Sequence, residues 1–204
     1  MGSRRWGNGA RVDDVDTGKK KLLRAAITCF VSKGVQSTTI EDVANAANVT
    51  RRTVYRYYAG KSELIAAVID LERKRLFDQL TTACAPYQND FARMVEEALV
   101  CSAEVLSPVR GSQDLLSSNN AGEILSHLTG ELAREQWQKL FQDAYLDYRR
   151  RNPDAGALHD ILDMVSRIAL SFRYMPAEAE DVRRAVQSLF AVARRRSTAN
   201  LRLV

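Results

Sequence analysis

Two short helix patterns stand back to back between Thr38 and Lys61, and no other stretch restricts the fold as much. Thr38-Thr39-Ile40-Glu41 reads as a capping box, with the Thr38 hydroxyl bonding the amide three residues on and Glu41 reaching back to the cap. The helix it opens runs from Thr39 to about Ala46, with Ile40, Val43, Ala44 and Ala47 inward. Asn48 tolerates a left-handed backbone and marks a sharp turn. Thr50 then caps a second helix, Arg51 to about Tyr57, with Val54 inward, and Gly60 breaks the pattern before Lys61. Helices this short bury too little to stand alone and need a third to pack on. The segment from about Thr17 to Lys33 supplies it: Leu22, Leu23, Ala26, Ile27 and Phe30 form an apolar stripe at helical spacing. Gly34 ends that helix in the left-handed position a C-cap favours.

The rest of the chain reads as all-α, giving about nine helices in total. A helix from Lys61 to about Cys84 carries Leu64, Val68 and Leu71 as a stripe. Pro86 opens a stretch to about Ser107 with Phe91, Met94, Val95, Ala98 and Leu99 inward, and Pro108 closes it. Residues 109–121 read as loop, followed by a short helix over about Ala121 to Leu128. Glu131 to Arg150 is periodic in Leu132, Leu140, Phe141, Ala144, Tyr145 and Tyr148, and Asn152-Pro153 stops it. Leu158, Ile161, Leu162, Val165, Ile168, Ala169 and Phe172 mark the next helix, which ends before Pro176. The last runs from about Ala177 to Ser197 through Val182, Ala185, Val186, Leu189, Phe190 and Ala193, with Arg194, Arg195 and Arg196 suiting the dipole at its end. No strand pattern and no internal repeat is evident. The expected organisation is an unstructured basic tail at 1–16, a helix-turn-helix head at 17–62 and a larger helical body at 63–204.

Charge divides along the same line. Residues 1–61 hold 12 Lys and Arg against 5 acids, whereas residues 62–204 hold 18 against 20. A basic head on a near-neutral body suits a nucleic-acid partner. In the tail, Arg4, Arg5 and Arg11 are either solvated charge or a basic arm for a minor groove. Cys29, Cys84 and Cys101 show no C-x-x-C spacing, so no disulfide framework or metal site is expected and the chain reads as cytoplasmic. His127 and His159 lack partners at metal-ligand spacing. No apolar run approaches the roughly 20 residues of a membrane span, and the polar N-terminus has no secretory h-region. No P-loop, G-x-S-x-G, H-E-x-x-H or dinucleotide fingerprint points to an enzyme, and no cofactor is implied.

The second short helix presents Arg51, Arg52, Thr53, Tyr55 and Arg56 outward. Arginine can grip guanine O6 and N7 with two hydrogen bonds, and threonine offers a hydroxyl and a methyl for thymine. Tyrosine and lysine reach phosphates. Together, Thr38-Thr39-Ile40-Glu41-Asp42-Val43-Ala44, Val49-Thr50-Arg51-Arg52-Thr53-Val54-Tyr55-Arg56-Tyr57-Tyr58 and Lys61-Ser62-Glu63-Leu64 resemble the head of TetR-family regulators over roughly residues 18–66. Two departures are Asn48, where the turn usually carries Gly, and Gly60, where a polar cap is usual.

The resemblance implies a sequence-specific transcriptional regulator, a repressor released from its operator by a small apolar ligand. By resemblance, Arg51, Arg52 and Thr53 read bases, and Thr39, Tyr55, Tyr58 and Lys61 hold phosphates. Arg56 takes either role, and Tyr57 belongs to the head core. The family also implies a homodimer on a two-fold symmetric double-stranded operator. The interface expected from the last two helices comprises Leu158, Ile161, Val165, Phe172, Val182, Val186, Leu189 and Phe190. A small-molecule pocket in the body would draw on Met94, Leu99, Cys101, Trp137, Phe141, Tyr145, Met164 and Phe172, residues that serve equally well as plain core. The alternative is a DNA-binding regulator without such a ligand, acting through a protein partner or as an activator. A helical enzyme is the remoter one.

Overall fold

The computed structural model describes residues 12–107 and 130–200, with side chains described for 15–107 and 130–191. Residues 1–11, Pro108, the loop expected at 109–121, the helix expected at 121–128 with His127, and the side chains of Ala193, Arg194, Arg195 and Arg196 lie outside the described residues. Among the described residues every regular element is helical, eight α-helices and one short 3-10 turn.

Helix α1 spans Val12–Lys33 and starts five residues before the expected Thr17, so the end of the expected tail is helical. Gly34 closes it at φ 85°. Helix α2 spans Ile40–Ala46, and its cap is Thr39 rather than Thr38. The reason is local. Thr38 is buried and its hydroxyl donates to the Gly34 carbonyl at 2.8 Å, closing the exit of α1. The next hydroxyl therefore does the capping: Thr39 Oγ1 accepts from the Asp42 amide at 3.1 Å, and Asp42 Oδ2 accepts from the Thr39 amide at 2.8 Å. Asp42, not Glu41, completes the box. Asn48 takes φ 51° in the turn. Helix α3 is Arg51–Tyr57, with Thr50 Oγ1 accepting from the Thr53 amide at 3.2 Å.

Helix α4 is Lys61–Cys84, about 36 Å long at 1.5 Å per residue. Gly60 has no side chain to cap it, and Glu63 Oε2 instead accepts from the Ala59 amide at 2.5 Å. The inward stripe of α4 steps by four residues through Leu64, Val68, Glu72, Leu76, Leu80 and Cys84. Leu71, expected in that stripe, is exposed. Steps of four drift around a helix of 3.6 residues per turn, and α4 uses the drift to turn its buried side from α1 in the head to the body.

Pro86 lies in the 3-10 turn Ala85–Tyr87, and helix α5 begins later, at Phe91–Leu106, behind the cap Asp90. The remaining helices are α6 (Glu131–Arg151), α7 (Leu158–Ser171) and α8 (Ala179–Asn200). Helix α5 is the axis of the body and packs against α4, α6, α7 and α8. Phe91 at its start meets the rings of Phe141, Tyr145, Tyr148 and Phe190 at centroid distances of 5.9, 5.4, 5.2 and 6.3 Å. Phe77 of α4 meets Trp137 edge-on at 5.3 Å, and Trp137 stacks on Phe141 at 5.9 Å. On α6 the buried stripe is Ala133, Trp137, Phe141, Ala144 and Tyr145; Leu132, expected inward, is one residue out of phase and exposed.

A charged cluster ties α8 to α5. The Glu96 side chain is only 2% exposed. It accepts from Arg93 Nη1 at 2.7 Å, Arg183 Nη1 at 3.1 Å and Gln187 Nε2 at 3.2 Å. Arg183 also bonds Glu97, with Nη2 donating to Oε2 at 3.1 Å. Burying a carboxylate is costly unless its lone pairs are met, and here three donors from two helices meet them.

Candidate nucleic-acid interface

The head holds α3 at its surface by packing one side only. Leu22, Ala26 and Phe30 of α1, Ile40, Val43 and Ala44 of α2, Val54 of α3 and Leu64 and Val68 of α4 share one core. On a helix of 3.6 residues per turn, the side opposite Val54 falls midway between Arg52 and Arg56. Both are exposed, as are Arg51 and Tyr55, while Thr53 is half-buried. Thr50, Arg52, Thr53, Tyr55 and Arg56 line one shallow depression on that side.

The arginines are not equivalent. Arg51 Nη1 lies 3.5 Å from Glu41 Oε2 on α2. Arg56 turns back on Tyr57, its guanidinium 5.0 Å from the ring centroid and Nη2 donating to the hydroxyl at 3.4 Å. Arg52 makes no ion pair among the described residues and points away from the protein core, with its donor fork open to a partner. The Thr53 hydroxyl sits 3.1 Å from that of Thr50.

The expected phosphate contacts are placed less uniformly. Tyr55 is exposed. Tyr58, expected outward, is 5% exposed, and its hydroxyl is pushed up in pKa by burial and then by the Glu63 charge. Tyr57, expected in the core, is the half-exposed one. The exchange follows from the end of α3. Tyr58 is the first residue past the helix, its backbone turns extended (φ −139°, ψ 123°), and that swings its ring inward. Thr39 is exposed, but its hydroxyl and amide both serve the cap of α2. Lys61 Nζ donates to the Gln36 carbonyl at 2.7 Å, so the ammonium lies against the α1–α2 connection with two protons left for another acceptor.

A second tie crosses the same connection. Lys33 Nζ donates to Asp42 Oδ1 at 2.5 Å. The hydrogen bond from Lys33, and then those from the Thr39 hydroxyl and amide, hold the Asp42 carboxyl far below the usual carboxylate range. Because its pKa is lowered in the folded head, the stability Asp42 adds is complete above about pH 4 and falls away as the pH drops further. Protection of the α2 amides, measured against exchange of an unstructured peptide at the same pH, is expected to fall on acidification below that point, and Asp42→Asn to remove the fall. A pH profile unchanged by Asp42→Asn would contradict the assignment.

The expected pocket residues in the body are mostly core. Met94, Leu99, Trp137, Phe141, Tyr145 and Phe172 are buried and Cys101 is half-buried. Met164, expected in the pocket, is 61% exposed on the outer side of α7, where Leu162 and Val165 occupy the inward positions. Burial pushes the Cys84 thiol up to about 12 and that of Cys101 to about 11, which suits cysteines acting as small apolar side chains. Of the expected interface residues, Leu158, Val165, Phe172, Val182 and Val186 are buried within the single chain, and Ile161 and Phe190 are half-buried. Leu189 is 66% exposed. No helix among the described residues is long and apolar enough to cross a membrane.

Comparison with known proteins places the head. A family model described as "Bacterial regulatory proteins, tetR family" matches residues 22–68. The "Probable acrEF/envCD operon repressor" of Escherichia coli is 29% identical over 101 residues, 48% of this chain and 44% of that protein. The "HTH-type transcriptional regulator TtgR" of Pseudomonas putida is 36% identical over 52 residues, 26% of this chain and 25% of that one. The chain thus aligns with less than half the length of these curated relatives. The likeness in fold extends much further: the crystal structure of a candidate transcriptional regulator from Pseudomonas aeruginosa superposes with a TM-score of 0.68 at 14% identity, over 90% of this chain and 94% of that one.

Proposed function

With a head of the tetR regulatory type over residues 22–68, we propose that this chain is a sequence-specific DNA-binding repressor, a homodimer whose hold on a two-fold symmetric operator is weakened by a small apolar ligand in the body. The observation that carries the reading is the outward side of α3, where Arg52 stands unpaired between Tyr55, Arg56 and Thr53. In this reading α3 enters the major groove. Arg52 reads bases, with Arg51 and Thr53 beside it, while Tyr55, Arg56, Lys61 and Thr39 serve the backbone. The name of the Escherichia coli relative, an operon repressor, supports the sign of regulation.

One head buries too little for tight specific binding, and pairing two heads doubles the contact and sets the spacing of half-sites. Among the described residues of α7 and α8, Met164 and Leu189 are exposed apolar side chains open to a partner, and Ile161, Ile168, Leu170 and Phe190 are half-covered. The body would act as the switch: a ligand that favours one arrangement of the two heads changes operator affinity by its differential affinity for the two states. The head is residues 17–62 and the body 63–204 in this division. The close packing of Phe141, Met94 and Trp137 favours a second reading, a regulator whose body holds no ligand.

Selection from a random double-stranded library is expected to return sites whose half-sites lie about one helical turn apart, roughly 34–36 Å. Met164→Glu with Leu189→Glu is expected to give a monomer on sedimentation that no longer retains those sites. Recovery of no preferred sequence would overturn the function, and an undisturbed dimer would overturn this interface. A panel of apolar compounds that neither raises the melting temperature nor releases DNA would favour the second reading.

A further inference from the structure

One side of α1 carries a charge pattern that the reading of α3 does not use. Thr17, Lys21, Arg24 and Thr28 recur at intervals of four, three and four residues and therefore share one face, with Lys20 beside Lys21 at its edge. Leu22, Ala26 and Phe30 lie on the other side, in the head core. The five residues, with Ala25, form one wall of a groove whose other wall is Ala46 and Ala47 at the end of α2. Among the described residues no acid lines the groove, and the exposed Asp16 stands one turn before Lys20, outside it. Lys20, Lys21 and Arg24 are all exposed, and the small alanine side chains opposite them leave the space open. Among the described residues, Lys20 and Arg24 make no side-chain ion pair.

The groove sits beside the reading helix. Ala47 leads through Asn48 and Val49 to Thr50, the cap of α3. Three residues of chain reach at most about 11 Å, so the Ala47 wall of the groove lies within that distance of the end of α3 that opens on the turn. A continuous polyanion matches three cations spread along one side of a helix.

We propose that Lys20, Lys21 and Arg24 form a second DNA contact, a groove that holds backbone phosphates next to the bases facing α3. This rests on the reading of the chain as a DNA-binding regulator and adds to it a sequence-independent part of the affinity. Phosphate contacts position a protein on the duplex and release counterions without reading bases.

The test measures binding of the full chain to its selected duplex and to a random duplex, between about 50 and 200 mM salt. The Lys20→Gln, Lys21→Gln, Arg24→Gln chain is expected to lose affinity for both duplexes. The slope of log affinity against log salt should flatten by about 2 to 3 for each head on the duplex, about 5 for the homodimer, near 0.9 for each phosphate no longer neutralised. Base preference in a repeated selection should stay the same. A control carrying Arg134→Gln, Lys139→Gln and Arg150→Gln, exposed cations of α6 in the body, should keep the wild-type slope. A head variant with the wild-type slope, or a control that flattens as much, overturns the groove while leaving the regulator reading intact. A wild-type chain that binds neither duplex overturns both. Matching far-ultraviolet circular dichroism and melting temperatures separate a weakened interface from a damaged fold.

Discussion

An Arg52→Ala chain is expected to lose about 5- to 150-fold in affinity for its selected operator for each head engaged, the equivalent of one bidentate base contact of about 1–3 kcal/mol per half-site. On random duplex the loss should be much smaller, because a single base-reading side chain contributes little to backbone attraction. Arg52 is singled out by position and by the absence of a competitor. It is exposed on the side of α3 away from Val54 and makes no ion pair among the described residues. Arg51→Ala should cost less, since that guanidinium already shares Glu41 at 3.5 Å. Arg52→Lys keeps the charge but not the planar fork, and should recover random binding without recovering base preference. Gel-shift titration on matched and scrambled duplexes measures all three. Equal losses on operator and random DNA for Arg52→Ala would remove Arg52 from the base-reading set.

The second large effect lies in the body. Glu96→Ala is expected to destabilise the body by about 3 kcal/mol, the low end for breaking a buried ion pair, because Arg93 and Arg183 keep part of their solvent contact. For a chain of this size that is a fall in melting temperature of about 6–12 °C. Glu96 gathers Arg93 from its own helix with Arg183 and Gln187 from α8, so its removal strands donors on two helices at once. Glu96→Gln keeps an acceptor for them and should cost less. Thermal unfolding followed by far-ultraviolet circular dichroism measures the series. A melting point for Glu96→Ala within about 2 °C of wild type would show that water satisfies the two arginines.

Where an element carries its own punctuation, the chain can be read residue by residue. Thr50, Val54 and the extended backbone at Tyr58 bound α3, and Gly60 sets the start of α4; both helices run over the expected ranges. The acid-box cap of α2 shifts by one residue because Thr38 and Thr39 offer the same hydroxyl, and only the carbonyl of Gly34 decides between them. Tyr57 and Tyr58 exchange roles for a comparable reason: two adjacent tyrosines are alike until the helix ends between them. Stripes give a periodicity but not how much of a helix is covered, so Met164 and Leu189 fall outside a core that includes their neighbours Val165 and Val186. Least legible are contacts between residues distant along the chain. Nothing near Lys61 announces the Gln36 carbonyl 25 residues earlier, and nothing near Glu96 announces Arg183, 87 residues later. The cationic side of α1 is visible as composition, but its facing wall at Ala46 and Ala47 is not.

The placement of Trp137 makes the molecule its own optical gauge. The chain has two tryptophans, Trp6 and Trp137. Trp137 is buried, edge-on to Phe77 of the long helix that runs from head to body and stacked on Phe141 of its own helix. With Trp6→Phe, all indole emission arises at that one junction. Any sliding of α4 past α6 changes the ring's neighbours and its contact with water, and so the wavelength and quenching of its light. Movement between the head and the body is thereby reported without a dye, from a ring that is only 5% exposed.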